Sequence, residues 1–449
     1  MLRTLSRRLA AVGVLALALA SNAGAQGLRE KFNELFIFGP GQDPLFLAGS
    51  ADPNNPISIQ AHGKHFIPSA SGQNGALIGF LVDAIGRNVA NVPIGATSGG
   101  ETFHFEGGVP VKTSTSAGPI FAERAQTIGR GRALVGVGYS AFHFTTLRGQ
   151  DLGNLQLIFT HQNSDFAGCD SAFGGDCSKM GIPNLENDIM MFRLSLDMKV
   201  QVTSIYLTYG LFDKLDVSAV VPVVSVGLHG HSDANIVPFG GPTAAHFFAG
   251  TPTDPVLDAH RDVNGSSFGL GDVAVRAKWA VRETSSASFA IQGDARFATG
   301  SSDDLLGSGA FSARGLAIMS ARVDRFSPHV NLGYVYRSGM NDNDAVLATA
   351  GFDHLMADKV TLATDLVSEL QVGRSALQVP GPVQYDAPYK RTVMPTTIPD
   401  RRDDIVNGSL GLKIMPVTGT TIVMNILVPL NRGGLRADAI YTLGSEYTF

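Results

Sequence analysis

The chain reads as an all-β protein, a transmembrane antiparallel β-barrel. Three observations predict it: runs of strict apolar–polar alternation, connections that alternate between tight and long, and low charge beside high glycine. Only 16% of the 449 residues are charged, against about 25% in an ordinary soluble domain. Glycine contributes 52 residues, above the usual share of about 7%. An apolar fraction of 44% with a net charge of −5 excludes a disordered chain. The near-balanced charge, with no basic block, argues against nucleic acid as a partner. What remains is a chain whose outer surface does not face water.

Residues 1–25 read as a secretory signal peptide. Arg3, Arg7 and Arg8 form a basic start, Leu9 to Ala20 an apolar stretch, and Ala23-Gly24-Ala25 a small-residue cleavage pattern before Gln26. About a dozen apolar residues are too few to cross a bilayer core of about 30 Å as a helix. Cleavage after Ala25 removes three arginines, leaving 31 basic against 39 acidic residues and a net charge of −8. Residues 26–100 do not alternate. Leu28 to Phe38 begins like a short helix, and Leu77, Phe80, Leu81, Ala84, Ile85 and Val89 fall at helical spacing. This partly helical segment reads as a hatch that plugs the lumen, with a periplasmic cap as the alternative.

Residues 101–449 carry the barrel. From Phe192 to Val202 every even residue is apolar and every odd one polar. Val273, Val275, Ala277, Trp279 and Val281 share one face of the next clear case, and Ile422, Met424, Ile426, Val428 and Leu430 repeat it. Strands are expected near 101–113, 133–147, 154–164, 188–211, 215–228, 270–283, 287–298, 312–323, 328–339, 345–355, 359–372, 404–416, 420–430 and 434–449. That makes about 14, with 12 or 16 left open because 101–113 contains Gly107, Gly108 and Pro110. An even total is what a bacterial single-chain barrel requires. Alternation alone would also suit a soluble sandwich; the connections decide. Tight ones at 212–214, 284–287, 325–327 and 417–419 alternate with long ones near 165–187, 230–267 and 374–403, as periplasmic turns alternate with outer loops. On the final strand Ala437, Ala439, Tyr441, Leu443, Tyr447 and Phe449 share a face. Tyr447 and Phe449 resemble the terminal signal by which outer-membrane proteins reach their assembly machinery.

The only cysteines, Cys169 and Cys177, stand in a glycine- and aspartate-rich stretch. In an exported chain they are expected to close a local disulfide. A metal site with Asp165, Asp170 and Asp176 is the weaker reading, since no histidine stands beside the thiols. No cofactor is implied.

The segments FAERAQTIGRGRALVGVGY, YLTYGLFDKLDVSAVVPVV and GLGDVAVRAKWAV resemble the outer-membrane proteins linked with meta-pathway phenol degradation. That group is similar in architecture to the long-chain fatty-acid transporter barrels. The resemblance spans most of 115–449 and implies a barrel passing hydrophobic small molecules, 14-stranded with an N-terminal hatch in the better understood relatives. Their binding residues match no motif in this chain.

Motifs for chemistry are weak. Gly265-Ser266-Ser267-Phe268-Gly269 has the form of a nucleophile elbow, which needs a strand, a sharp turn and a helix; here it closes a loop and leads into a strand. His229, His231 and Asp233 could hold a metal weakly, with a solvated strand end the better reading. The charges expected on inward faces are Arg193, Asp197, Lys199, Asp272, Arg276, Lys278, Arg282, Asp294, Arg296, Asp365, Glu369, Lys413, Arg436 and Glu446. Neither sign dominates, so they suit cross-bracing better than a one-sided selective ring, with substrate contact as the alternative. Alternation changes phase near Thr203-Ser204-Ile205, which a β-bulge would explain. Phe239, Phe247, Phe248, Leu305 and Leu306 are candidate ligand-capture residues in loops expected to be exposed.

The expected protein is a non-enzymatic outer-membrane channel for passive uptake of small hydrophobic molecules, aromatic or fatty-acid-like. Its partners would be outer-membrane lipid and lipopolysaccharide, the barrel-assembly machinery and the ligand. A non-transporting structural or adhesive barrel is the alternative, and an outer-membrane hydrolase a more distant one.

Overall fold

The computed structural model describes residues 27–38, 43–48, 65–68, 71, 73–90, 103–106, 109–112, 116–160, 188–238, 246–284, 286–339, 343–385 and 390–449. The expected signal peptide, Phe239 and the Cys169–Cys177 pair lie outside them. Twelve strands form a closed antiparallel ring. In chain order they are β1 Ala133–Leu147, β2 Ile189–Phe212, β3 Leu215–Val237, β4 Ala274–Glu283, β5 Ala287–Arg296 and β6 Ser312–Ala321. They continue as β7 Phe326–Arg337, β8 Ala345–Ala357, β9 Val360–Gln371, β10 Ile405–Ile414, β11 Thr420–Pro429 and β12 Leu435–Thr448. Each pairs with its sequence neighbour in the ring, and β12 closes on β1. Reciprocal Ala133–Phe449 backbone hydrogen bonds of 2.9 Å finish the seam.

The wall is therefore twelve-stranded rather than fourteen-stranded, and two segments account for the difference. The residues expected as a strand at 154–164 form Leu155–Thr160, which pairs with the outer end of β2 and lies off the ring. Leu155, Leu157 and Phe159 are buried in a protein core, so this strand has no face for lipid. Within 101–113, Phe103–Glu106 pairs antiparallel with Val109–Lys112 as a separate two-stranded sheet.

At one end of the barrel the turns are short: 213–214, 284–286, 322–325, 358–359 and 415–419. The connections at the other end, called outer here, include the long 148–188, 238–273, 297–311 and 372–404. The strict alternation expected is relaxed there, since 338–344 and 430–434 are also short. Outward residues of the wall are large and apolar: Val137, Tyr209, Trp279, Ile291, Leu332, Tyr334, Leu410, Leu443 and Tyr447 are all exposed. Water would not tolerate so continuous a belt, whereas hydrocarbon requires one with aromatic rings near its rims.

β2 and β3 run past the barrel rim as a long hairpin, flanked by Leu155–Thr160 and by a strand at Asp258–Leu270. The last of these is the outer continuation of β4: Leu270 pairs with Val223 and Ala274 with Val220, so Gly271-Asp272-Val273 carries one extra residue, a bulge. The ladder through 203–205 is unbroken on both sides, which removes the bulge expected there. What changes at that point is the surroundings. Inward Phe192, Leu194, Leu196, Met198 and Val200 are buried against protein, and the outward residues beside them face water. Nearer the turn end the outward residues are Ile205, Leu207, Tyr209 and Leu211. The apolar phase flips because the strand leaves one solvent and enters another.

Two helices lie on the inner, apolar face of this blade and against the wall. α1, Leu28–Glu34, is followed by Phe36, whose ring stacks on Phe192 at 4.7 Å. A Cβ on Gly230 would meet the Leu35 side chain at 2.7 Å, so a bare backbone lets the chain leaving α1 lie flat. α2, Gln73–Ala90, buries Leu77, Ile78, Leu81, Val82, Ile85 and Val89, and Arg29–Asp83 at 2.8 Å ties the two helices. The main apolar core thus sits in the outer half.

A buried arginine fastens the long outer connection 372–404. Arg148, fully buried, donates to both carboxylate oxygens of Asp403 at 2.7 and 2.9 Å and to Ser375 Oγ at 2.6 Å. It also reaches the carbonyls of Pro399 and Leu377. Arg148→Ala is expected to strip Asp403 of its partner at a cost of about 3 kcal/mol. Protease added to intact cells should then cut within 372–404, where the parent protein resists; an unchanged digestion pattern would refute this clamp.

The water-facing side of the blade carries His231, whose Nδ1 is 2.7 Å from Asp262 and whose Nε2 is 3.2 Å from Asp233. The hydrogen bond to Asp262, with the nearby negative charge of Asp233, raises the His231 pKa above its ordinary value. A raised folded-state pKa means the contribution is present at acidic pH and fades as pH climbs through it. Histidine NMR titration should place His231 above the usual value of about 6.5, and Asp262→Asn should bring it back. An ordinary titration in the parent chain would contradict the pairing.

Candidate functional site

The inner end of the lumen is crossed by Ser116 to Arg132, the segment leading into β1. Non-alternating residues with Pro119 and positive φ at Gly118, Gly129 and Gly131 make an irregular coil. A coil in the lumen must find partners for its own backbone, and the wall supplies them. Ala117 N–H donates to Thr361 Oγ1 at 3.1 Å, Ala125 N–H to Ser320 Oγ at 3.0 Å, and Ile128 N–H to Asp216 Oδ2 at 3.0 Å. In return Lys278 Nζ donates to Arg124 O and Asn331 Nδ2 to Glu123 O, each at 3.1 Å. Ser116 hydrogen-bonds Asp353, which faces His329, and His329 Nε2 lies 2.6 Å from Asp365. At its exit the coil passes over Gly210, where a Cβ would strike the Gly129 carbonyl.

This plug was not foreseen. The signal available was a stretch without alternation, holding Glu123 and Arg124 among small residues between two expected strands. The expected hatch at 26–100 is described only in part, and those parts lie in the outer half.

The expected inward charges divide. Asp272, Arg276, Lys278, Asp294, Asp365, Lys413, Arg436 and Glu446 are buried, Arg296 and Glu369 half-buried. Lys413 is 3.8 Å from Glu446, which accepts from Tyr206 Oη at 2.9 Å; Gly136 opposite leaves room for the Tyr206 ring. Asp272 instead accepts from Gly300 N–H and from Ser308, pinning the 297–311 connection. Four placements are corrected. Arg193 and Lys199 are exposed and Asp197 is only partly covered, because they face outward on the part of β2 beyond the membrane. Arg282 is exposed because the register shift after Ala280 turns it out beside Phe289.

The capture residues are corrected too. Phe247, Phe248, Leu305 and Leu306 are buried, with Phe248 edge-on to Phe38 at 5.4 Å. They hold connections onto the helices and leave at most 5% of their surface exposed. Ser267 lies inside the Asp258–Leu270 strand and donates to Asp304 O at 2.7 Å, so no nucleophile elbow forms.

Two of the cavities among the described residues lie between helices, plug and wall. The first, partly open to solvent and of about 200 Å³, lies beside α2 and the β12–β1 seam. Phe80, Phe142, Phe144, Leu427 and Ile440 give it apolar sides, and Arg337, Glu369 and Arg436 polar ones. The second, of about 160 Å³, lies deeper and touches the plug at Phe121, Ala122 and Glu123. It is lined by Arg276, Arg296, Arg314 and Arg337 with Asp294 and Glu369.

No protein-family profile matches the chain, and no curated protein sequence matches it. Among solved structures, an outer-membrane channel from Pseudomonas putida F1 aligns over 72% of this chain and 98% of its own, at 12% identity and a TM-score of 0.40. A deletion mutant of the monoaromatic hydrocarbon channel TodX aligns over 82% and 99%, at 10% identity and a TM-score of 0.36. A Pseudomonas aeruginosa FadL homologue aligns over 71% and 88%, at 10% identity and a TM-score of 0.29. These are likenesses of barrel outline and assign no residue of this chain a role.

Proposed function

We propose that this protein is a bacterial outer-membrane channel for the passive uptake of small hydrophobic molecules, aromatic or fatty-acid-like. The observation that carries the reading is the first cavity. A water-filled pore offers an apolar solute no favourable place, whereas a pocket with phenylalanine sides and a few fixed polar groups does. Its position between the outer helices and the inner plug suits capture from outside followed by release inward. The N-terminal segment acts as the outer hatch in this reading, and 116–128 as the inner barrier. The apolar belt fits lipid and lipopolysaccharide as surroundings, and the exposed Tyr447 and Phe449 of the closing strand suit engagement by assembly machinery.

Two measurements test it. Cells carrying the gene should take up labelled aromatic hydrocarbons or fatty acids faster than deletion cells; equal uptake of every compound would leave the structural or adhesive barrel as the better reading. A cysteine pair at Ala125→Cys and Ser320→Cys should tether the plug to the wall. Uptake should fall several-fold when the pair is oxidised and return on reduction.

A further inference from the structure

The two cavities share three lining residues, Arg337, Val367 and Glu369. Arg337 donates to Glu369 Oε1 at 2.6 Å, so an ion pair stands in the partition between them. Arg337 is held in place from behind, its Nη1 donating to Asn343 O at 2.8 Å and its backbone N–H to Asp344 at 2.9 Å. Glu369 is the more exposed partner, at 32% against 11% for the arginine. The carboxylate is thus the movable half.

Beyond the partition guanidinium groups crowd around shared carboxylates. One oxygen, Asp294 Oδ2, receives both Arg276 Nε at 2.5 Å and Arg314 at 3.0 Å. Arg314 Nε is buried with no hydrogen-bond partner among the described residues. Arg276 also reaches Glu123 of the plug at 3.4 Å. Four guanidinium groups and three carboxylates thus line one cavity. Each acid on this path, Glu369, Asp294 and Glu123, occupies a place that another carboxylate could take.

We propose that the partition is an anion-exchange gate, and that the preferred solute is a small amphipathic carboxylate with an apolar body and one anionic head. This rests on the uptake reading above and names its substrate class. The body lodges against Phe80, Phe142 and Phe144, and the head replaces Glu369 on Arg337. A guanidinium accepts one carboxylate for another without losing its planar hydrogen bonds. The gate then opens with no buried charge left bare. A neutral hydrocarbon has nothing to exchange and must break the pair outright. Further in, the free Arg314 Nε receives the head, and exchange at Arg276 releases Glu123, loosening the plug from the wall.

The test compares three solutes with the same ring: benzoate in alkaline buffer, benzyl alcohol and toluene, in proteoliposomes holding the full-length protein. The parent protein should pass benzoate at least about ten-fold faster than benzyl alcohol. Arg337→Gln should bring that ratio close to one, Arg337→Lys should retain part of it, and Glu369→Gln should raise benzoate flux. Heat-modifiable migration on gels confirms that each variant is folded, and calorimetric titration of the parent with benzoate gives binding independently of flux. Equal passage of benzoate and benzyl alcohol by the parent, or an unchanged ratio in Arg337→Gln, would overturn the gate and leave the uptake reading standing. Passage of none of the three would overturn both.

Discussion

Everything in this molecule depends on one constraint: in hydrocarbon no backbone N–H or C=O can be left unpaired. Closing β12 onto β1 through Ala133 and Phe449 removes the sheet's last edges within the membrane. Closure puts one face of every strand in lipid and the other in a lumen, so polar side chains collect inside. Once a coil occupies that lumen, those side chains lose access to bulk water and need partners of their own. The coil needs partners for its backbone as well. The hydrogen bonds from 117, 125 and 128 to Thr361, Ser320 and Asp216 answer both needs together. Wall and plug solve each other's problem.

The wall was largely legible in the sequence because its physics is local. Lipid on one side imposes a period of two, and a tight turn needs only a few residues, so strands from β4 onward fall close to where alternation puts them. The count was less legible. Leu155–Thr160 alternates as a wall strand does, and only the long-range pairing of β1 with the inner half of β2 excludes it from the ring. Arg193 and Lys199 failed for a related reason. Alternation reports which residues share a face but not which solvent that face meets, and along β2 the solvent changes midway.

The site was less legible than the fold. Arg276, Asp294 and Glu369 could be placed inward from strand phase, but not that Arg276 would bridge to Glu123, 153 residues earlier. Loop residues fared worst. Phe248 and Leu305 stand in loops, which usually lie exposed. Here the blade formed by β2 and β3 provides a second apolar surface outside the membrane, and the connections fold onto it. Neither the blade's height nor its cargo of helices follows from periodicity.

The plug has a further consequence, for the order in which the molecule is built. Ser116 to Arg132 precedes β1 in the chain, yet it lies inside a ring completed only when the last strand arrives. Once β12 meets β1 the lumen is bounded by continuous hydrogen-bonded wall, with helices above and tight turns below. A segment of this length, tied to β1 at one end and to the outer helices at the other, cannot be threaded in afterwards. The wall must therefore be wrapped around its contents, with the earliest part of the barrel serving as the form on which the later strands close.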